Sequence, residues 1–492
     1  MENISSEDLK QGEGALEPVS RRSALCRLGA GFGLVALSNM VQSSLAQAEA
    51  TGSGTPGILK DLHFKPRAKR VVFLFMNGGV SHVDTWDPKP MLEKHHGEPV
   101  PQGMAPFQNT RPGNLMKSPF KFQKYGQSGM DFSELWPKLG ECADDLCMIR
   151  SMVSDIPNHE PCLSMMNTGS NVLATRPSIG SWLSYGLGTE NANLPSYIVL
   201  LPGLPISGGP PLWGNAFLPA VHQGTLIKNE WDDGKPYDYK KLIPNINNDA
   251  VVRGIQKRDV GLLRALNDFH RERLSPADSQ LDASIKTMET AYQMQTEAPE
   301  VFDISREKPE VREMYGTGSV SLGCLLAARL AEKGVRMVQV WTRKGDPWDA
   351  HDDIMSYVRL AKEADQCNSA LIKDLKRRGL FEDTLIVGGT EMGRTPNVEL
   401  RGGNSAVING RDHNHQGFSI WLAGGGVKGG MTYGATDDLG FKAVDKPVHV
   451  HDLHATILYL MGIDHTKLTY RFSGRDFRLT DTAGQVIHDI IA

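Results

Sequence analysis

Arg70-Val71-Val72-Phe73-Leu74-Phe75-Met76 runs directly into Asn77-Gly78-Gly79. The run is short, apolar, β-branched and aromatic, without polar alternation. That pattern predicts a central strand buried on both faces and opening into a loop. Four further runs share it: Leu194 to Leu201 (LPSYIVLL), Val335 to Trp341 (VRMVQVW), Thr384 to Val387 within DTLIVGG, and Phe418 to Ala423 (FSIWLA). Helical patterns lie between them. Ser319 to Lys333 stops at Gly334 and leads into the third strand, and Asp353 to Arg378 stops at Gly379 before the fourth. Strands alternating with helices predict an α/β fold, a mostly parallel central sheet flanked by helices. Residues 249–297 read as polar-helical, with Leu262, Leu263, Leu266 and Phe269 on one side. A helical insertion is therefore placed at about 249–315. Residues 202–245, rich in Pro, Gly and Asn, read as long loops over the sheet edge.

The chain has 492 residues, 40% of them hydrophobic and 22% charged, with a net charge of −4. A sizeable core is available, and the balance excludes a polycation that binds nucleic acid through bulk charge. Its 51 Gly and 28 Pro make it loop-rich but not low-complexity. Near the start, Ser20-Arg21-Arg22-Ser23-Ala24-Leu25 precedes an apolar stretch from Leu28 to Val41, then Ala46-Gln47-Ala48. A basic region, a short apolar region and a small-residue exit predict an export signal over residues 1–48. The paired arginines resemble the twin-arginine type. The apolar stretch falls short of the ~20 residues a transmembrane helix needs. No later run reaches that length, so the mature chain is expected to lack a membrane span and to be periplasmic or extracellular. Residues 49–66 read as a flexible leader and 67–492 as one domain. Of six Cys, five remain after cleavage. Cys142 and Cys147 are the candidate disulfide pair, with buried free thiols as the alternative.

In an open α/β sheet, reactive groups collect past the carboxyl ends of strands. The first strand is followed by Asn77, Ser81, His82, Asp84 and Asp87, the third by Asp346, Asp349, His351, Asp352 and Asp353, and the fourth by Thr390, Glu391 and Arg394. A Gly/Asn-rich loop carries Arg411, Asp412, His413, Asn414 and His415 just ahead of the fifth. Asp, Glu, Asn and His together suit a divalent ion: Zn²⁺, Mn²⁺, Mg²⁺ or Ca²⁺. Of the group His449, His451, His454 and His465, His454 lies within a helical pattern from Leu453 to Leu460 and the others flank it, and Asp452 reads as its N-cap rather than a ligand.

Four segments carry a resemblance: FLFMNGGVSHVDTWDPKP (73–90), WDAHDD (348–353), TEMGRTP (390–396) and GRDHNHQGFSIWLAGGGVKGG (410–430). From about Arg70 to the C-terminus the chain resembles the domain-of-unknown-function family 1501. By similarity that family belongs to the alkaline-phosphatase/sulfatase superfamily, whose members hydrolyse phosphate or sulfate esters at metal sites on an alkaline-phosphatase-like core. The resemblance implies Asn77, Asp349, His351, Glu391 and His413 as metal positions, with Asn77 where the superfamily has Asp and Met392 after Glu391. Sulfatases carry Cys-x-Pro-Ser-Arg followed by Thr-Gly. This chain has His159-Glu160-Pro161-Cys162-Leu163, then Thr168-Gly169. In register, His159 holds the nucleophile position, Leu163 the Arg position and Cys162 the Ser position. A formylglycine mechanism is thereby disfavoured. His159 is left to attack, to activate water or to bind metal, and Arg394 or Arg411 to clamp the anion. The resemblance implies an exported metal-dependent hydrolase of sulfate or phosphate esters acting on a small-molecule or glycan ester. The alternative is a non-catalytic binding protein for sulfated or phosphorylated glycans.

Overall fold

The structure is a computed structural model that describes residues 57–104, 111–204, 206–231, 237–242, 261–263, 267, 279–400 and 409–492. The predicted export signal, Leu266 and Phe269 lie outside the described residues. One compact unit comprises Ser53–Asn248 with Asp278–Ala492. The other, Met1–Gly52 with Asp249–Ala277, falls almost wholly outside the described residues.

Strand β1 spans Arg70–Phe75. In chain order follow β2 (Leu146–Val153), α1 (His159–Thr168), α2 (Ile179–Leu187), β3 (Tyr197–Leu200), β4 (Thr225–Ile227), α3 (Ser279–Phe302), α4 (Ser319–Glu332), β5 (Met337–Trp341), α5 (Tyr357–Arg377), β6 (Thr384–Gly389), β7 (Phe418–Ala423), β8 (Met431–Tyr433), β9 (Val448–His449) and α6 (Val450–Leu460). The strands form one nine-stranded sheet in the order β8-β2-β7-β6-β1-β5-β3-β4, with β9 also paired to β2. Strand β7 runs antiparallel to both its neighbours, and every other pairing in this sheet is parallel. The mostly parallel α/β sheet flanked by helices is thus the fold observed.

β1 lies between β5 and β6, with Val72 opposite Val338 and Ile386. Side chains alternate across a strand, so β1 feeds two cores. Val72 and Leu74 pack with Leu322 and Leu326 of α4 and Leu371 of α5. Val71, Phe73 and Phe75 pack with Met166 of α1, Trp182 of α2 and Ile457 of α6. Both faces are covered, which is why the run shows no polar alternation. Each such side chain contributes about 1.5–3 kcal/mol through burial.

Two strands escape the sequence pattern. β2 carries Arg150 and Ser151, and partners distant in the chain meet them: the Ser151 hydroxyl donates to the Lys446 carbonyl at 2.7 Å, and the Arg150 guanidinium lies 3.7 Å from Asp131 and 3.9 Å from Asp87. β4 adds an edge strand within 202–245, where only loops are expected from the sequence. The candidate disulfide is overturned: Cys142 and Cys147, like every described cysteine, are free and buried. They sit in cores on opposite faces of the sheet, so their sulfurs cannot meet. Asp452 is not an N-cap. α6 starts at Val450, His449 caps it, and the Asp452 carboxylate accepts the His449 N–H at 2.9 Å to close a capping box. Part of the leader is held in place. Ile58 and Leu59 donate to the Tyr185 and Gly186 carbonyls at the end of α2, and Phe64 donates to the Gly462 carbonyl just past α6.

Gly388, in β6, faces the Trp421 ring of β7 so closely that an added Cβ would lie 2.0 Å from Trp421 Cε2. Trp421 is fully buried and has nowhere to go. Gly388→Ala is expected to lower unfolding free energy by about 3 kcal/mol, measured by urea denaturation. An unchanged midpoint and slope would show that the β6–β7 packing is looser than described.

Candidate metal centre

Three adjacent parallel strands, β6, β1 and β5, end side by side, and their following loops meet. After β1 the chain turns through Gly78, whose φ is +115° and whose Cβ position lies 2.7 Å from the Trp348 and Asp349 nitrogens. A side chain there would push away the β5 loop that carries Asp349 and His351. After β6 come Thr390 and Glu391, then Gly393–Arg394, which pairs with His413–Asn414. His159 is the first residue of α1.

Asp349 Oδ1 is the focus. His351 Nε2 lies 2.7 Å from it, and His159 Nε2 and His413 Nε2 each 3.2 Å. His351 Nε2 and His413 Nε2 are 3.0 Å apart. Each ring is held from behind through Nδ1. His159 Nδ1 donates to Glu391 Oε1 at 2.9 Å, His413 Nδ1 donates to Pro157 O at 2.7 Å, and His351 Nδ1 donates to Glu399 Oε2. A carboxylate or carbonyl can only accept, so in the neutral rings every Nε2 is a lone pair aimed at the same carboxylate oxygen. Glu391 is itself fixed, accepting the Gly78 N–H at 3.0 Å and the Thr390 hydroxyl at 3.0 Å.

Burial opposes charge on these groups, but their partners mostly prevail. Burial pushes the Asp349 carboxyl up, yet hydrogen bonds from the three histidines and the Arg394 charge hold it well below the usual carboxylate range. For His159, burial is outweighed by hydrogen bonds to Asp349 and Glu391, and the imidazole is raised to about 9. His351 is raised for the same kind of reason, through Asp349 and Glu399. At His413 burial wins, helped by the Arg394 and His159 charges, and the ring is lowered.

Of the residues singled out in the sequence, Asp349, His351, His413 and His159 converge, with donor atoms within 4.8 Å of one another. Glu391 stands behind His159. Asn77 does not join them. Its amide donates to the Arg343 and Gly345 carbonyls and its oxygen accepts from Thr342, which pins the β5 loop to β1. An aspartate could not make those donations. Arg394 is fully buried and used up: it donates to Gly78 O, Gly79 O, Arg411 O and Asp349 Oδ1. Arg411 faces away, in a buried ion pair with Asp84 at 2.7 Å and bonds to Thr395 O and Met116 O. Met392 is buried. His451 and His454 bond to the Gly169 and Met166 carbonyls and serve packing.

Sequence reasoning missed Glu399 and the Pro157 carbonyl. Glu399 had a signal. In Asn397–Leu400 the polar residues Asn397 and Glu399 take the buried parity and Val398 and Leu400 the outer one, the reverse of an ordinary amphipathic strand. A cleft of about 620 Å³ opens beside the cluster, lined by Pro157, Thr395, His413, His415, Gln416 and Lys442 among others. The Asp349 side chain is 26% exposed and His159 14%, so the cluster is reached from solvent.

Fold and site together define an α/β protein with a three-histidine, one-carboxylate candidate metal centre at the strand ends. Residues 68–491 match the family described as Protein of unknown function (DUF1501), and the chain belongs to it. No curated protein matches the chain. Among solved structures, the chain is similar to the PsFucS1 sulfatase from Pseudoalteromonas sp., at 12% identity over 87% of this chain and 72% of that one, TM-score 0.32. It is similar to a TAB5 alkaline phosphatase variant with Mg bound, at 10% identity over 82% and 99%, TM-score 0.32. A third is the lipoteichoic acid synthase LtaP from Listeria monocytogenes, at 9% identity over 87% and 78%, TM-score 0.32. Likeness of this size assigns no activity.

In the metal-free protein the raised His159 lends stability that is complete below its ordinary value of 6.5 and lost as pH climbs through about 9. A cation must displace that proton. Zn²⁺ affinity, read by competition with a chelating dye, is therefore expected to rise between about pH 6 and pH 8.5. Glu391→Gln removes the charge behind His159 and is expected to weaken Zn²⁺ about 10- to 100-fold. Zn²⁺ binding that ignores pH, or a Glu391→Gln variant matching wild type, would contradict this ligand set.

Proposed function

We propose that this chain is an exported, metal-dependent hydrolase of sulfate or phosphate esters. The observation that carries the reading is the convergence of three imidazole Nε2 atoms on one Asp349 oxygen, each ring fixed through Nδ1 by an oxygen acceptor. His159, His351, His413 and Asp349 would hold the ion. Three imidazoles and a carboxylate fit Zn²⁺ or Mn²⁺ better than Mg²⁺ or Ca²⁺, which favour all-oxygen shells. Such an ion supplies Lewis acidity toward an ester oxygen and toward water.

The chain's own residues do the rest. Glu391 and Glu399 hold the rings that carry the lone pairs. His159 has Nδ1 on Glu391 and Nε2 in the cluster, so it serves as a ligand rather than as the attacking group. Arg394 orients Asp349 through its buried guanidinium, whose other N–H groups go to backbone carbonyls. The nucleophile is then water. Asp346 is a further carboxylate beside His159. Burial raises its pKa despite a hydrogen bond from Ser207, and its Oδ1 is buried without a partner. It clusters with His159 and Glu391 and suits a proton acceptor.

Zn²⁺- or Mn²⁺-loaded protein should turn over p-nitrophenyl sulfate or p-nitrophenyl phosphate. Chelation should abolish turnover and the metal restore it. Asp349→Ala or His413→Ala should lower kcat/KM at least about a hundredfold. A loaded protein that binds a sulfated oligosaccharide and releases it unchanged would replace this reading with a binding function.

Export rests on residues 1–48. Fused to a reporter, they should carry it across the cytoplasmic membrane, and the double change Arg21→Lys with Arg22→Lys should leave precursor in the cytoplasm. Equal export of both fusions would rule out the twin-arginine route. No helix among the described residues is long and apolar enough to cross a membrane.

A further inference from the structure

The cleft of about 620 Å³ shares His413 and Pro157 with the metal centre, and Asp155, two residues past β2, lines it too. Two donors hold the Asp155 carboxylate. Asn171 Nδ2 donates to Oδ2 at 2.8 Å, and His449 Nε2 donates to Oδ1 at 3.0 Å. The His449 tautomer is fixed by its place at the start of α6. Its Nδ1 accepts the His451 N–H at 3.2 Å, which leaves the hydrogen on Nε2. Burial pushes the Asp155 carboxyl up, but the bonds from Asn171 and His449 outweigh it and hold the group below its ordinary value. Asp155 is therefore ionised and can only accept. Each of its oxygens spends one lone pair on its donor and keeps another, and the side chain is 45% exposed. Lys442 lines the same cleft and can only donate. Met104 and Phe441 add apolar surface.

We propose that this cleft binds a sugar unit, whose hydroxyl groups donate to Asp155 and accept from Lys442. A hydroxyl both donates and accepts, so one kind of neutral group satisfies an ionised carboxylate and an ammonium alike. Neighbouring hydroxyls on one ring can donate to the two Asp155 oxygens side by side, and bonds to an ionised acceptor are the strong ones. The C–H face of such a ring suits the apolar surface of Met104 and Phe441. Because Asn171 and His449 already fix the carboxylate, little ordering is left for the ligand to impose. The volume falls in the range of about 300–1,000 Å³ usual for small-molecule sites. A small zwitterion could also pair with Asp155 and Lys442, but it would fill only part of that space. In one respect the inference rests on the hydrolase reading: in an ester held at the metal, the sugar is the alcohol portion, seated beside His413. The binding of the sugar itself requires no ion.

Titration calorimetry of the whole chain, in the presence of a chelator, with maltose, cellobiose, lactose and glycylglycine tests the assignment. At least one disaccharide should bind saturably, and at least about tenfold more tightly than glycylglycine. Asp155→Asn keeps the shape but turns one acceptor into a donor, and should weaken that disaccharide at least about tenfold. Lys442 is exposed, so Lys442→Met removes the ammonium without touching the core and should weaken it about fivefold. Both variants should keep the circular dichroism spectrum of wild type. The proposal is overturned if no disaccharide saturates, if glycylglycine binds as tightly as the sugars, or if either folded variant binds as wild type does. Failure to turn over p-nitrophenyl esters with metal would count against the hydrolase reading alone, and failure to bind sugar against this site alone.

Discussion

Four lone-pair acceptors brought within 4.8 Å of one another repel unless something positive lies between them, and this is the constraint around which the candidate centre is built. In the neutral rings, His159, His351 and His413 cannot turn their N–H groups inward, because Glu391, Glu399 and the Pro157 carbonyl hold the protons outward. Protons relieve the repulsion in the free protein, which is why His159 and His351 are driven to bind them more tightly. A divalent ion relieves it with more charge at one point. The groups behind the rings therefore do as much as the ligands: they decide that the inner face offers lone pairs at all.

That arrangement depends on three strand ends lying side by side. β6, β1 and β5 are neighbours and parallel, so their carboxyl ends deliver Glu391, Gly78 and Asp349 to one place. Asn77 ties the β5 loop to β1 through donations that only an amide makes at that position. Arg394 gathers the Gly78 and Gly79 carbonyls and Asp349 under one guanidinium. Arg411, neutralised by Asp84, carries the carbonyl on which Arg394 rests. Removing one partner of that fully buried pair would strand a charge, so the pair holds the shape of the centre from a distance.

Much of this was legible in sequence because both faces of the central strands are covered. A strand packed by α4 and α5 on one side and α1, α2 and α6 on the other must read as an unbroken apolar run, and β1, β5, β6 and β7 do. β2 does not, because it carries Arg150, which faces Asp87 and Asp131, and Ser151, which bonds to Lys446, and β4 is too short to show a period. At the centre, the strand-end rule gathered Asp349, His351, Glu391 and His413, and the motif register found His159. Ligand was not separable from support by type alone. Asn77 and Glu391 share the chemistry of ligands, and only their partners show that one is a tie and the other a brace. Glu399 and the Pro157 carbonyl carry no local signal of their function beyond the inverted parity of one short strand.

The two arginines sharpen what the centre can do. An arginine that clamps a sulfate or phosphate group must keep N–H groups free to face it. Arg394 spends its guanidinium on backbone carbonyls and Asp349, and Arg411 spends its own on Asp84 and two carbonyls. Neither is available. On the proposed reading, the attraction for an anionic ester would come from the ion that His159, His351, His413 and Asp349 would hold, with the cleft beside His413 left to recognise the rest of the molecule. Lys442, which lines that cleft, is a cation that neither arginine's commitments use up. Without an ion, the Asp349 carboxylate, 26% exposed at the mouth of the cluster, would repel the anionic group that the proposed reading brings there.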